Sequence, residues 1–272
     1  RRPPRSTQGV SSAASDVYKR QTGNIVMAGV LAKGETVIEN AAREPEIVQL
    51  CDALNTMGAK INGISTDKII IEGVDHLTGA DLDVIPDRIE AGTYLIAGAA
   101  MGEITLNYCN PRHLDALIKK LIQAGAKIDS SENSISIKKA NPINPVDVTT
   151  EVYPGFPTDL QAQWIALMAI ASGSSVVTDT VYHDRFTHIP ELNRLGANIE
   201  LRENMAIING VDHLIGAPVM STDIRASAAL ILGAIMARGK TDISRIYHID
   251  RGYEFIEKKF QALGVDIVRK ND

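Results

Sequence analysis

Two glycine-centred markers recur along this chain with a common period of about 68 residues. A glycine preceding a short β-branched run stands at Gly34, Gly102, Gly173 and Gly239, at spacings of 68, 71 and 66 residues. A second glycine closes an amphipathic segment at Gly58, Gly125, Gly196 and Gly264, at spacings of 67, 71 and 68 residues. Two independent markers sharing one period define a chain built from copies of a single supersecondary unit, each burying its apolar face by stacking on its neighbours.

Each unit is expected to run in the same order. A segment of small apolar residues comes first, as in Gly23 to Lys33, Asp159 to Ser172 and Asp223 to Arg238. Being apolar nearly all round, it predicts a buried helix. A strand follows, such as Thr36 to Glu39, then an amphipathic helix with Ile47, Leu50, Cys51, Leu54 and Met57 on one face. Ile256, Phe260 and Leu263 repeat that face in the fourth unit. The closing glycine suits a left-handed C′ position. Two more strands complete the unit, Lys60 to Ile64 with Asp67 to Glu72, and Ala126 to Ser130 with Ser134 to Lys138. The pattern is βαβ-like with an added hairpin, so the fold class is α/β, with mixed sheets and buried helices between them.

Composition narrows the function. With 44% hydrophobic and 22% charged residues among 272, the chain is globular and not disordered throughout. Its longest apolar run, Ala226 to Ala237, is too short for a membrane span. Two cysteines, Cys51 and Cys109, make no disulfide framework, so a reducing cytoplasm is expected. The net charge of −5 comprises +4 in residues 1–21 and −9 in the remainder, a body too acidic for general nucleic-acid binding. Residues 1–21 begin without Met and carry no apolar periodicity. They are expected to be a disordered extension, or sequence foreign to the natural gene product, outside the fold.

The buried helices begin alike, at Pro86-Asp87-Arg88, Pro157-Thr158-Asp159 and Ser221-Thr222-Asp223, with Arg225 close behind the last. Asp and Thr are good N-caps, which is one complete explanation. The other is functional: equivalent helix starts converge, their N-termini attract anions, and arginine beside them suits phosphate or carboxylate. Two turns share this polar character, Asn40 to Glu46, with Pro45 set for early helix, and Tyr247 to Tyr253, where Arg251 is expected at a helix N-terminus. The six histidines show no metal-ligand spacing, so no metal site is expected. There is no Walker loop and no dinucleotide fingerprint.

The strings ENAAREPE (Glu39 to Glu46), FPTDLQAQ (Phe156 to Gln163), TDIRAS (Thr222 to Ser227) and YHIDRGYE (Tyr247 to Glu254) resemble the UDP-N-acetylglucosamine 1-carboxyvinyltransferases, a branch of the enolpyruvyl transferase family. The resemblance runs from Thr22 to near the C-terminus. It implies domains of three repeats each, packed as an inside-out α/β barrel with helices inside and sheets outside. It also implies transfer of the enolpyruvyl group of phosphoenolpyruvate to the sugar 3-hydroxyl in bacterial peptidoglycan synthesis, without a cofactor. The implied partners are these two small molecules, with no nucleic acid and no membrane.

By the same resemblance Asp159 contacts and deprotonates the 3-hydroxyl. A carboxylate at a helix N-terminus is a weak base unless its surroundings are dry. Val181 matches a backbone contact to the UDP-sugar, with Arg185 near it. Asp223, Arg225 and Arg251 match residues around phosphoenolpyruvate, and Arg88 with Asp87 assists from a domain junction. The family's proton-donating cysteine is not matched by Cys51 or Cys109, and the Lys-Asn pair and uridine-binding arginines are also missing. Residues 22–86 are therefore expected to be one repeat of a first, catalytic-loop domain, left loose and aggregation-prone. Residues 87–272 are expected to be a compact second domain, and the chain a truncated, inactive copy. The shikimate-pathway transferase and a non-catalytic sugar-nucleotide-binding module stand as alternatives.

Overall fold

The computed structural model describes residues 14–270. The described residues divide into two compact units, 14–84 with Val181–Asp184, and 85–180 with 185–270.

In the first unit, helix α1 (Ala14–Gly29) leads to strand β1 (Glu35–Glu39), helix α2 (Pro45–Thr56), and strands β2 (Lys60–Asn62) and β3 (Lys68–Glu72). The helix starts at Ala14 and not at Gly23, so residues 14–21, expected outside the fold, form its first two turns. Tyr18 donates its hydroxyl to the Ala41 carbonyl at 2.6 Å, and the buried Thr22 hydroxyl accepts from Ala42 N, which ties these turns down. The expectation for residues 1–13 lies outside the described residues. Nor is the stretch Gly23 to Lys33 buried all round: Val26 and Val30 are buried, while Ile25, Met27 and Leu31 are exposed. Pro45 occupies the first turn of α2, and Ile47, Cys51 and Leu54 face a core with Ile38, Ile61, Ile69 and Ile71.

The sheet refines the βαβ expectation. Its order is β1-β3-β2, and β3 is antiparallel to both neighbours, so β1 and β2 run parallel with the hairpin strand inserted between them. This is a split βαβ unit.

The second unit repeats it. Helix α3 (Arg88–Met101), strand β4 (Glu103–Asn107), helix α4 (Asp115–Gln123), and strands β5 (Lys127–Ser130) and β6 (Ser134–Lys138) form the first copy, with sheet order β4-β6-β5. Strand β7 (Val148–Thr150) precedes the second copy: helix α5 (Gln161–Met168), strand β8 (Ser174–Asp179), helix α6 (Ile189–Arg194), and strands β9 (Asn198–Arg202) and β10 (Met205–Asn209). There β7 adds parallel to β8, giving the order β7-β8-β10-β9 and a mixed sheet. Strands β11 (Leu214–Ile215) and β12 (Pro218–Met220) lead to helix α7 (Ile224–Met236), strands β13 (Ala237–Arg238) and β14 (Asp242–Ser244), and helix α8 (Ile256–Ala262). This last copy departs most: β11 pairs with β13 and β12 with β14, both parallel. Helix α8 stops at Ala262, so Ile256 and Phe260 are buried but Leu263 is exposed.

The four helix-end glycines have φ of +99°, +98°, +87° and +89°, as the repeat required. Helices α3, α5 and α7 pack on one another, and α5 is buried at all eight of its residues. Their sequences contain Gly92, Gly98 and Gly233 where large side chains of neighbours press in; a Cβ on Gly92 would stand 2.6 Å from Leu160. Helices thus sit inside and sheets outside in this unit. No helix among the described residues is long and apolar enough to cross a membrane.

Candidate active site

The three buried helices of the second unit start differently from one another. At α3 and α7 the aspartate is the N-cap. Asp87 Oδ1 accepts from Ile89 N at 2.7 Å and Glu90 N at 3.3 Å, and Asp223 Oδ1 accepts from Arg225 N at 2.8 Å and Ala226 N at 2.9 Å. At α5 the chain enters through a 3₁₀ turn, Thr158–Leu160, whose N-cap is Pro157 and which has no side-chain cap. Asp159 is therefore not a cap. Its carboxylate, 4% exposed, takes two guanidiniums on Oδ1: Arg185 Nη1 at 2.7 Å and Arg225 Nε at 3.1 Å.

Arg225 links two helix starts, since its backbone is capped by Asp223 and its side chain reaches Asp159. Burial works against the Arg225 charge, but Asp159, Tyr253 and Asp87 outweigh it and lift its pKa above the ordinary value. Aspartates from two repeats, Asp159 and Asp87, thus act on one guanidinium, while Asp223 of the third caps the Arg225 backbone. Asp223 is held in turn by Thr187 and Thr222, whose hydroxyls donate to Oδ2 at 3.0 and 3.3 Å. Burial pushes the Asp223 carboxyl up, yet hydrogen bonds from Ala226, Thr187 and Arg225 more than offset this and leave it below the usual range.

The remaining expected residues fall elsewhere. Arg88, buried at the start of α3, lies over the Tyr153 ring with its guanidinium 5.6 Å from the centroid, and lines a pocket with Arg112, His113 and Pro157. Val181 is buried two residues beyond β8, in the segment grouped with the first unit. Arg251 is exposed at the end of a 3₁₀ helix, Ile246–Arg251, and not at a helix N-terminus. Tyr253 lies in the core, its hydroxyl 2.8 Å from Thr93 Oγ1 and 3.3 Å from Gln163 Nε2, and α8 begins only at Ile256, after Phe255 in a left-handed conformation.

Several groups around the site were not legible as functional. Gln161, at the first turn of α5, is fully buried with neither amide atom hydrogen-bonded. His188 is buried with Nε2 unpartnered, and burial pushes its pKa down to about 4, against the pull of Asp223 and with Arg185 adding to the depression. Asp179 binds Thr150 and Thr158. Both cysteines are poor thiolates: burial pushes Cys51 up to about 11 and raises Cys109 as well. No group of three His, Cys, Asp or Glu that could hold a metal exists among the described residues.

A carboxylate flanked by two guanidiniums can accept a proton from a bound hydroxyl, while the guanidiniums neutralise an anionic co-substrate. This cluster stands at the starts of two buried helices, in a unit with helices inside and sheets outside. A sequence model of EPSP synthase (3-phosphoshikimate 1-carboxyvinyltransferase) matches residues 5–260. The chain belongs to this family of enolpyruvyl transferases. Over 250 residues it is 53% identical to the UDP-N-acetylglucosamine 1-carboxyvinyltransferase of Chlorobium chlorochromatii, covering 92% of this chain and 59% of that protein. The Idiomarina loihiensis protein of the same name is 50% identical over 263 residues, covering 96% and 63%. Among solved structures, the enolpyruvyl transferase NikO from Streptomyces tendae superposes with a TM-score of 0.84 at 25% identity, covering 93% of this chain and 61% of that one. EPSP synthase from Acinetobacter baumannii shares the fold, with a TM-score of 0.68 at 20% identity. The chain thus spans about 60% of the length of the curated relatives it matches.

Proposed function

We propose that this chain carries part of an active site that transfers the enolpyruvyl group of phosphoenolpyruvate to the 3-hydroxyl of UDP-N-acetylglucosamine, in the bacterial cytoplasm, as the first committed step of peptidoglycan synthesis. The observation that carries this reading is the Asp159 carboxylate held on Arg185 and Arg225. Its support is the name shared by relatives about half identical to it.

In this reading Asp159 takes the proton of the 3-hydroxyl as its oxygen bonds to the enol carbon bearing the phosphate. The neighbouring methylene carbon gains a proton, then loses one as the phosphate leaves, which restores the double bond. Arg225, Arg251, Arg185 and Arg88 hold the phosphate, the carboxylate and the UDP-sugar, Val181 contributes its backbone, and Asp223 fixes Arg225. Neither buried cysteine serves as the acid. Residues 22–86 and 87–272 correspond to one repeat of a first domain and to a second domain.

A chimera tests it, with this chain replacing the 250-residue stretch it matches in the Chlorobium chlorochromatii protein. Phosphate release from phosphoenolpyruvate is expected with UDP-N-acetylglucosamine as acceptor. Release only with shikimate 3-phosphate, or none from a folded chimera, overturns the reading.

A further inference from the structure

The start of α5 poses a question that α3 and α7 do not. An aspartate there binds two arginines and leaves the first turn without a side-chain cap. The turn is held from outside. Asp179, the last residue of β8, is fully buried, and each of its carboxylate oxygens accepts one threonine hydroxyl: Oδ1 from Thr150 at 2.6 Å and Oδ2 from Thr158 at 2.6 Å. Thr150 and Thr158 are the two ends of the 151–157 loop, so one carboxylate closes the loop and seizes the residue next to Asp159.

The anchor is itself fixed. Asp179 pairs with Thr150 in the parallel register of β7 and β8, and its backbone is clasped by Asn204 through Asp179 N to Asn204 O at 2.9 Å and Asn204 Nδ2 to Asp179 O at 3.0 Å. Thr180 N adds a bond to the Thr150 hydroxyl at 3.2 Å. A carboxylate suits this work because it accepts on both oxygens, whereas an amide accepts on one. Loop closure alone is met as well by apolar packing, without a buried charge. What the charge adds here is a defined position for Thr158.

We propose that Asp179 is a positioning residue for Asp159: through the Thr158 hydroxyl it fixes the uncapped turn that aims Asp159 at Arg185 and Arg225. As a statement about transfer this rests on the function proposed above; as a statement about the arginines it stands by itself.

The test uses the full chain with Thr158→Val, Asp179→Asn and Thr158→Ser. Nitrogen-15 NMR of Arg185 and Arg225 reads rotation of their guanidinium groups, which the Asp159 bonds restrain. Rotation is expected to quicken about tenfold in Thr158→Val and Asp179→Asn, the equivalent of about 1.4 kcal/mol. Thr158→Ser, which keeps the hydroxyl, is expected to match the parent. In the chimera, Thr158→Val should lower kcat on the order of 10- to 100-fold with little change in the KM for phosphoenolpyruvate. Guanidiniums as restrained as in the parent, in a folded Thr158→Val chain, overturn the proposal. Should Asp179→Asn fail to fold, Thr158→Val decides, since valine keeps the shape of threonine. A chimera silent even without substitutions defeats the functional reading and leaves the arginine result to judge the clamp.

Discussion

Asp159 and Asp223 stand at equivalent places in successive repeats, yet their carboxylates do opposite work. Asp223 turns inward to the backbone of its own helix, binding Arg225 N and Ala226 N. Asp159 turns away from its helix and takes the side chains of Arg185 and Arg225. The difference originates in the neighbours. Before Asp223 the chain is extended, with φ −159° and ψ 176° at the cap itself, which lets the side chain fold back over the first turn. Before Asp159 the chain enters by Pro157 and a 3₁₀ turn, with Thr158 drawn to Asp179, so the carboxylate lies one residue inside the turn and faces outward. A repeat therefore sets where a carboxylate stands, and its surroundings set what it binds.

Removing each carboxylate measures that difference. Asp159→Ala removes the buried carboxylate that two half-buried guanidiniums share. It is expected to destabilise the second unit by about 3–5 kcal/mol, the cost of breaking a buried pair, read by urea unfolding. A gain in stability, as seen when a purely structural buried ion gives way to packing, would contradict the pairing described here.

Next comes acid sensitivity. His188 is neutral in the fold down to about pH 4, whereas unfolded histidine takes its proton near 6.5. The unfolded state binds more protons in that window, so stability is fully present above about pH 6.5 and falls as pH drops towards 4, by up to about 3 kcal/mol. His188→Phe is expected to flatten this slope in unfolding midpoints measured across the window. An unchanged slope would place the acid sensitivity elsewhere.

Smaller still is the effect of the caps. Asp223→Ala and Asp87→Ala are each expected to cost about 0.5–2 kcal/mol, and the corresponding asparagine variants much less, because asparagine also caps. Asp223 adds a pH term of its own: its folded pKa lies below 3.8, so its contribution is present above that value and is lost as pH falls through the folded pKa. Equal losses from the alanine and asparagine variants would show that the cap bonds are not what these residues contribute.

Much of this was legible in the sequence, for physical reasons. The repeat, the helix-ending glycines and the hairpin strand at Ser134–Lys138 are local properties that any copy of the unit must satisfy. Asp159, Arg185 and Arg225 were named through resemblance; the meeting of Asp159 with Arg225 followed from helix starts built alike, whereas Arg185 lies between β8 and α6 and no repeat placed it there. Arg251 was misplaced because Tyr247 to Tyr253 was read as a strand-to-helix turn, whereas the chain forms a 3₁₀ helix over Ile246–Arg251. The partner of the buried Tyr253, Thr93, is 160 residues away. The α1 start was missed because residues 14–21 have no apolar period; hydrogen bonds from Tyr18 and Thr22 hold them instead. Asp179 did leave a signal. Ser175, Val177 and Asp179 alternate onto the buried face of β8, and a carboxylate on such a face must find partners. His188 left none, since its burial comes entirely from tertiary packing.

The comparison between the two aspartates reduces to one measurement: kcat for enolpyruvyl transfer by the chimera carrying Asp159→Asn beside the one carrying Asp223→Asn. Asparagine keeps the shape of both sites and the cap at Asp223, but it cannot take a proton at Asp159. The account predicts a loss on the order of 10²–10⁴-fold for Asp159→Asn, as for removal of a general base, and a clearly smaller loss for Asp223→Asn. Losses of equal size, or an Asp159→Asn enzyme that keeps its kcat, would contradict it.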